Sequence, residues 1–165
     1  MMIKAKNRIG LSVIAGIVII SISSCNVTKK YEKEEEANIQ NYLTNHSTLH
    51  YEKKASGLYY LDTEVGTGAQ VATGDSVFLM FNVYEINGTK FSTNYGTTDT
   101  LKRIAGSGEF IAGFDEAVSY MKAGGKSKIV VPSYLAYGTS GIQLPAYTTL
   151  LYDLYLVRLK SNAIK

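Results

Sequence analysis

The sequence has no tryptophan, one cysteine, two prolines and two histidines in 165 residues. A single cysteine excludes a disulfide framework within the chain. His46, His50 and Cys25 all precede residue 57, so neither a Ser-His-Asp nor a Cys-His nucleophile can be assembled from the residues that follow. Charged residues make up only 19%, against 45% hydrophobic residues, 15 glycines and 13 tyrosines, which excludes a disordered or coiled-coil chain. Positive charge is also scarce where it would matter. The chain carries 17 basic and 14 acidic residues, but Lys4, Lys6 and Arg8 precede the first acidic residue, Glu32. Residues 25–165 therefore balance, and they have no net field with which to hold a nucleic-acid backbone. The length suits one folded domain with attachments.

The N-terminus has the three-part layout of a secretory signal: basic residues 1–8, an apolar run from Ile9 to Ile22, then Ser23, Ser24 and Cys25. Fourteen residues at ~1.5 Å each reach about 21 Å, short of the ~30 Å hydrocarbon core. Ile22-Ser23-Ser24-Cys25 resembles a bacterial lipobox, which implies cleavage after residue 24 and acylation of Cys25 as the lipid anchor. Acyl chains contribute ~0.8 kcal/mol per buried CH₂, enough for several chains to hold a domain at a bilayer. Asn26 after the cysteine leans towards the outer membrane.

Residues 26–56 are polar, with five basic and five acidic residues, and only Ile39, Tyr42 and Leu43 fall at helical spacing. The reading is a solvated tether containing one short helix near 31–44. His46 and His50 lack accompanying ligands, so no metal site is expected.

From Gly57 the pattern changes to short alternating apolar runs: 58–64, 76–86, 101–104, 126–132 and 148–159. Asn87-Gly88 is a hairpin signal, with a return strand from Thr89. In the last run Leu150, Tyr152, Leu154 and Leu156 share one face, which is predicted to be core. Ile111, Phe114, Ala117, Val118 and Met121 recur at three and four, with Asp115 and Glu116 on the solvated side and Gly124-Gly125 as the stop, which predicts one amphipathic helix. The class is α+β, an antiparallel sheet laid on one short helix. Gly106-Ser107-Gly108 lacks the context of a nucleotide loop, and no cofactor is expected.

The motifs SGLYY, EVGTG, GDSV, NGTKF, GEFIAGFDEAV, GGKSKIVVP, YLAYG, LPAYTTL and YDLYLVRL occur in that order between Gly57 and Lys160. Together they resemble the FKBP-type peptidyl-prolyl cis-trans isomerases. The resemblance implies a bent five- or six-stranded antiparallel sheet wrapped over the 110–121 helix, with an isomerase domain over 57–165, a signal over 1–24 and an acylated tether over 25–56. It implies a pocket for a proline ring walled by Phe81, Phe91, Phe110, Ile111, Leu144 and Tyr152 and floored by Phe114. The Ile111 N–H and the Tyr137 hydroxyl would bind substrate carbonyls. The family usually places a Tyr at Phe81, an Asp at Ser92 and a Trp at Phe114, so Ser92 stands at a catalytic position without its carboxylate. The implied partners are proline-containing polypeptides and, through Cys25, a lipid bilayer. The expected function is folding of exported proteins in the bacterial envelope. A catalytically weak chaperone or partner-binding lipoprotein using the same pocket is the alternative.

Overall fold

The computed structural model describes residues 9–140 and 144–162, with side chains described from Val27 onward. The first eight residues and the side chain of Cys25 lie outside it, and with them the signal and acylation readings. Among the described residues no helix is long and apolar enough to cross a membrane. The chain divides into two compact units, 1–34 and 35–165. The described part of the first is helix α1 (Ile9–Asn45), which continues into the second.

In the second unit the strands are β1 (Glu52–Lys53), β2 (Tyr59–Glu64), β3 (Ser76–Glu85), β4 (Lys90–Thr93), β5 (Leu101–Ile104), β6 (Lys126–Val131) and β7 (Leu150–Lys160). The sheet order is β1-β2-β6-β7-β3-β4, with β5 also paired to β3, and every pairing is antiparallel. The one strand not foreseen is β1, whose two residues are too few to show an alternation. Between β3 and β4 the Asn87-Gly88 turn forms as predicted, with Gly88 at φ 89° and the Asn87 side chain accepting from the Thr89 N–H.

Alternation divides the sheet into two faces. On one, Val77, Leu79 and Val83 of β3, Ile129 and Val131 of β6, and Leu150, Tyr152, Leu154 and Leu156 of β7 pack with Phe114, Ala117 and Val118 of helix α2 (Ala112–Tyr120). This is the predicted core face and the predicted helix. The approach of α2 is close, because a Cβ at Gly113 would stand 2.5 Å from Val131 Cγ1 and 3.3 Å from Leu135 Cβ.

On the other face, Tyr59 and Val130 bury Ile39, with Tyr42, Leu43, Tyr51 and Leu151 packed around them. The expectation of a solvated tether is therefore corrected for residues 35–45. This stretch of α1 is part of the folded unit, because Val130 and Tyr59 would otherwise expose apolar surface. Because α1 ends at Asn45, His46 and His50 do not share a helix face. The His46 ring stacks on Tyr42 at 4.2 Å between centroids.

Candidate active site

The candidate site forms where the N-terminus of α2 faces β3 and β7. Helical spacing puts Phe114 on the buried side of α2, and Phe110 precedes the helix, so the two rings meet at 4.3 Å between centroids. Strand alternation turns Tyr152 to the same side, where it meets Phe114 edge-on at 5.5 Å and 70°. Phe81 of β3 lies 6.5 Å from the Tyr152 ring. Such tilted and edge-on arrangements suit the ring quadrupoles. Phe114 is buried, whereas Phe81, Phe110 and Ile111 are partly exposed against the same cluster, and Leu144 is buried within it. Six of the seven predicted pocket residues, all but Phe91, thus belong to one cluster.

Two residues around these rings hold their supports. The Arg103 guanidinium sits 4.9 Å from the Phe110 ring centroid, with its Nε 3.7 Å from a Glu109 carboxylate oxygen. Asp115 accepts the Gly108 N–H at 3.0 Å and so ties α2 to the turn before it. Partial burial pushes the Asp115 carboxyl above its ordinary range, against the Gly108 bond. The placement of Asp115 and Glu116 on a solvated helix face is corrected accordingly. Both are half-buried and engaged, Glu116 accepting from the Ser56 and Tyr120 hydroxyls at 2.8 Å.

Ile111 is the N-cap of α2, with extended backbone (φ −60°, ψ 145°) and no side-chain cap. It places backbone amides at the positive end of a helix beside the rings. Tyr137, 45% exposed, follows a 3-10 turn at Ser133–Leu135. Burial pushes the Tyr152 phenol well above its ordinary value, and the nearby Tyr137 adds a smaller push. Tyr152 is therefore a neutral hydroxyl at any physiological pH.

Phe91 and Ser92 are placed differently. All four residues of β4 are exposed, and Phe91 makes no ring contact with the cluster among the described residues. Register shows why: Val83 faces Ser92 while the next residue, Tyr84, faces Lys90, so Phe91 is the extra residue of a bulge. Bulges re-aim side chains, and simple alternation does not reveal them.

The sequence reading missed Asn94 and Leu101. Together with Phe81, Thr97, Asp99 and Thr100 they line a cavity of about 340 Å³. The Asn94 carboxamide accepts the Phe81 N–H at 2.7 Å and donates to the Leu79 carbonyl at 3.0 Å, replacing ladder bonds that β4 no longer supplies. The available signal was an asparagine directly after a short strand, where its side chain can imitate backbone.

Rings from α2, β3, β7 and the residue before α2 thus gather beside the backbone amides that open the helix. Residues 68–157 match the family described as FKBP-type peptidyl-prolyl cis-trans isomerase, and the chain belongs to that family. The "FKBP-type peptidyl-prolyl cis-trans isomerase FkpA" of Buchnera aphidicola subsp. Acyrthosiphon pisum is 35% identical over 78% of this chain and 54% of its own length. The chain thus spans about half of that relative. The "FK506-binding protein" of Neisseria meningitidis serogroup B is 32% identical over 62% of this chain and 95% of its own. Among solved structures, FkpA from Escherichia coli superposes with a TM-score of 0.70 at 26% identity, covering 95% of this chain and 74% of that one.

Proposed function

We propose that this protein is a peptidyl-prolyl cis-trans isomerase of the bacterial cell envelope, acting on proline-containing segments of exported polypeptides. The observation that carries the reading is the ring cluster of Phe81, Phe110, Phe114 and Tyr152 at the α2 N-terminus, bordered by Ile111 and Leu144. Rotation about a peptide bond faces a barrier of ~18–20 kcal/mol, and X–Pro bonds exchange over tens to hundreds of seconds. The barrier is amide resonance, and the planar amide is more charge-separated than the twisted one. A dry aromatic pocket holding the pyrrolidine ring disfavours the planar form relative to the twisted one. The Ile111 N–H and the Tyr137 hydroxyl donate to flanking carbonyls and hold the backbone in a turn that accompanies the twist. In this reading Phe91 and Ser92 of β4 would border the approach to the pocket. Residues preceding the proline would be apolar, matching the ring-lined wall.

Anchoring is part of the same proposal: cleavage after Ser24 and acylation of Cys25 would hold the domain at a bilayer, with Asn26 directing it to the outer membrane. Isomerase activity is tested with the detergent-solubilised chain and a proline tetrapeptide, by NMR exchange or protease coupling. No acceleration at micromolar protein rejects the enzyme reading. Mass spectrometry of the mature N-terminus tests the anchor, and an unmodified Cys25 rejects it.

A second reading, a partner-binding module that retains the pocket with little turnover, rests on exposed Ser92, which offers no carboxylate to the approach. The two readings separate on the starting rate and on the response to Ser92→Asp.

A further inference from the structure

Glu35 is one of four glutamates in the run 32–36, yet only 8% of its surface is exposed. Its carboxylate accepts three hydrogen bonds: the Ser133 N–H at 2.6 Å and the Thr149 hydroxyl at 2.7 Å on one oxygen, and the Ser133 hydroxyl at 2.8 Å on the other. Among the described residues no ion pair accompanies it. A buried carboxylate is costly unless donors surround it, and charge-assisted bonds of this kind are the strong ones.

The donors sit at the two ends of one segment. Ser133 opens the stretch that carries Tyr137 and Leu144, and Thr149 closes it just before β7 brings in Tyr152. Inside the stretch the bonds continue from Ser133 towards Tyr137. The Ser133 carbonyl accepts the Ala136 N–H at 2.9 Å and the Gly138 N–H at 2.8 Å, and the Gly138 carbonyl accepts the Tyr147 N–H at 2.9 Å. Tyr147 itself holds a left-handed φ of 60°, which a non-glycine residue keeps only when its surroundings impose it. A loop with an exposed tyrosine and a strained residue needs an outside hold, and Glu35 supplies it from a different element.

We infer that Glu35 is a positioning residue for the proposed isomerase site: its carboxylate clasps both ends of the 133–149 segment and so fixes Tyr137 over the pocket. The inference rests on the isomerase reading for its kinetic consequence and on geometry alone for the clasp. An unclasped loop must be ordered each time substrate binds. That cost falls equally on ground and transition states and is read in KM rather than kcat.

The test uses the full chain with Glu35→Ala, Glu35→Gln and, as a comparator, Ile39→Ala, which loosens α1 packing without touching the carboxylate. For Glu35→Ala we expect KM to rise about tenfold, the scale of one hydrogen bond to a charged group, with kcat nearly unchanged. Amide exchange across 134–140 and 144–149 should quicken by about tenfold, while that of β3 stays as it was. Glu35→Gln keeps an acceptor for the Ser133 N–H and should recover most of both losses. Ile39→Ala should lower the melting temperature and leave KM in place. Wild-type KM and loop exchange in Glu35→Ala would overturn the inference. So would an equal rise in KM and loop exchange for Ile39→Ala at matched stability. Should the wild-type chain show no isomerase activity, that reading falls, and loop exchange in Glu35→Ala then decides the clasp by itself.

Discussion

Phe114 of α2 meets Tyr152 of β7 edge-on, with ring centroids 5.5 Å apart and planes at 70°. The pair joins the helix to the sheet and also forms the base of the proposed pocket, so removing either ring has two effects at once. Phe114→Ala should cost about 3–5 kcal/mol of stability, the usual range for a buried phenylalanine, and kcat/KM should fall as well. Thermal or urea unfolding alongside a proline-peptide assay checks both. A variant as stable as the wild type would mean that the ring is not buried as described.

Tyr137→Phe separates chemistry from stability. Its side chain is nearly half exposed, so unfolding should change by no more than about 0.5 kcal/mol. If the hydroxyl donates to a substrate carbonyl, kcat/KM should drop roughly tenfold, the scale of one hydrogen bond left unmade. An unchanged rate would remove Tyr137 from the site.

Ser92→Asp restores a carboxylate on exposed β4. The isomerase reading expects a robust starting rate and a gain of a few-fold, about 1 kcal/mol of added electrostatic contact. A near-zero starting rate followed by a large gain would favour the partner-binding module.

Gly113→Ala sets two effects against each other. Alanine should gain about 1 kcal/mol of helix propensity. The new methyl group would stand 2.5 Å from Val131 Cγ1, and overpacking of this kind costs roughly 1–3 kcal/mol. Val131 is buried on a central strand and cannot withdraw, so the net change should be destabilising. A raised melting temperature would show that α2 can retreat.

Asp75 gives the acid dependence. Its carboxylate accepts the Ala72 and Asn162 N–H groups at 3.0 Å, and these two bonds, Ala72 first, hold its carboxyl below the ordinary value. A depressed native value means stability that is complete above the unfolded pKa of about 3.9 and lost as pH falls through the native one. The stability gap between wild type and Asp75→Asn should therefore shrink below about pH 4. A gap constant from pH 7 to pH 2 would contradict this.

Much of the fold was legible because it depends on local periodicity. Leu150, Tyr152, Leu154 and Leu156 announced the buried face of β7, Ile111 to Met121 announced α2, and Asn87-Gly88 announced the hairpin. The ring cluster was expected from the resemblance to the FKBP-type isomerases, since spacing alone does not tell a pocket ring from a core ring. What stayed hidden depends on partners distant in sequence. Among the neighbouring glutamates, only contacts with Ser133 and Thr149, 98 and 114 residues away, single out Glu35. Phe91 left the pattern through a one-residue bulge, and Asn94 acts through a carboxamide that replaces backbone bonds. None of these leaves a mark on hydrophobic spacing.

The position of β7 also bears on how the molecule comes into being. It lies between β3 and β6 and pairs with both, although it is the last strand in the chain, and its register with β3 runs from Ser76–Lys160 to Glu85–Leu150. A ribosome emits residues in order, so the middle of the sheet cannot close until residue 160 has emerged. Such long-range pairing is also slow. The complete sheet can therefore form only after β7 has left the ribosome, and until then β3 and β6 each lack a neighbour.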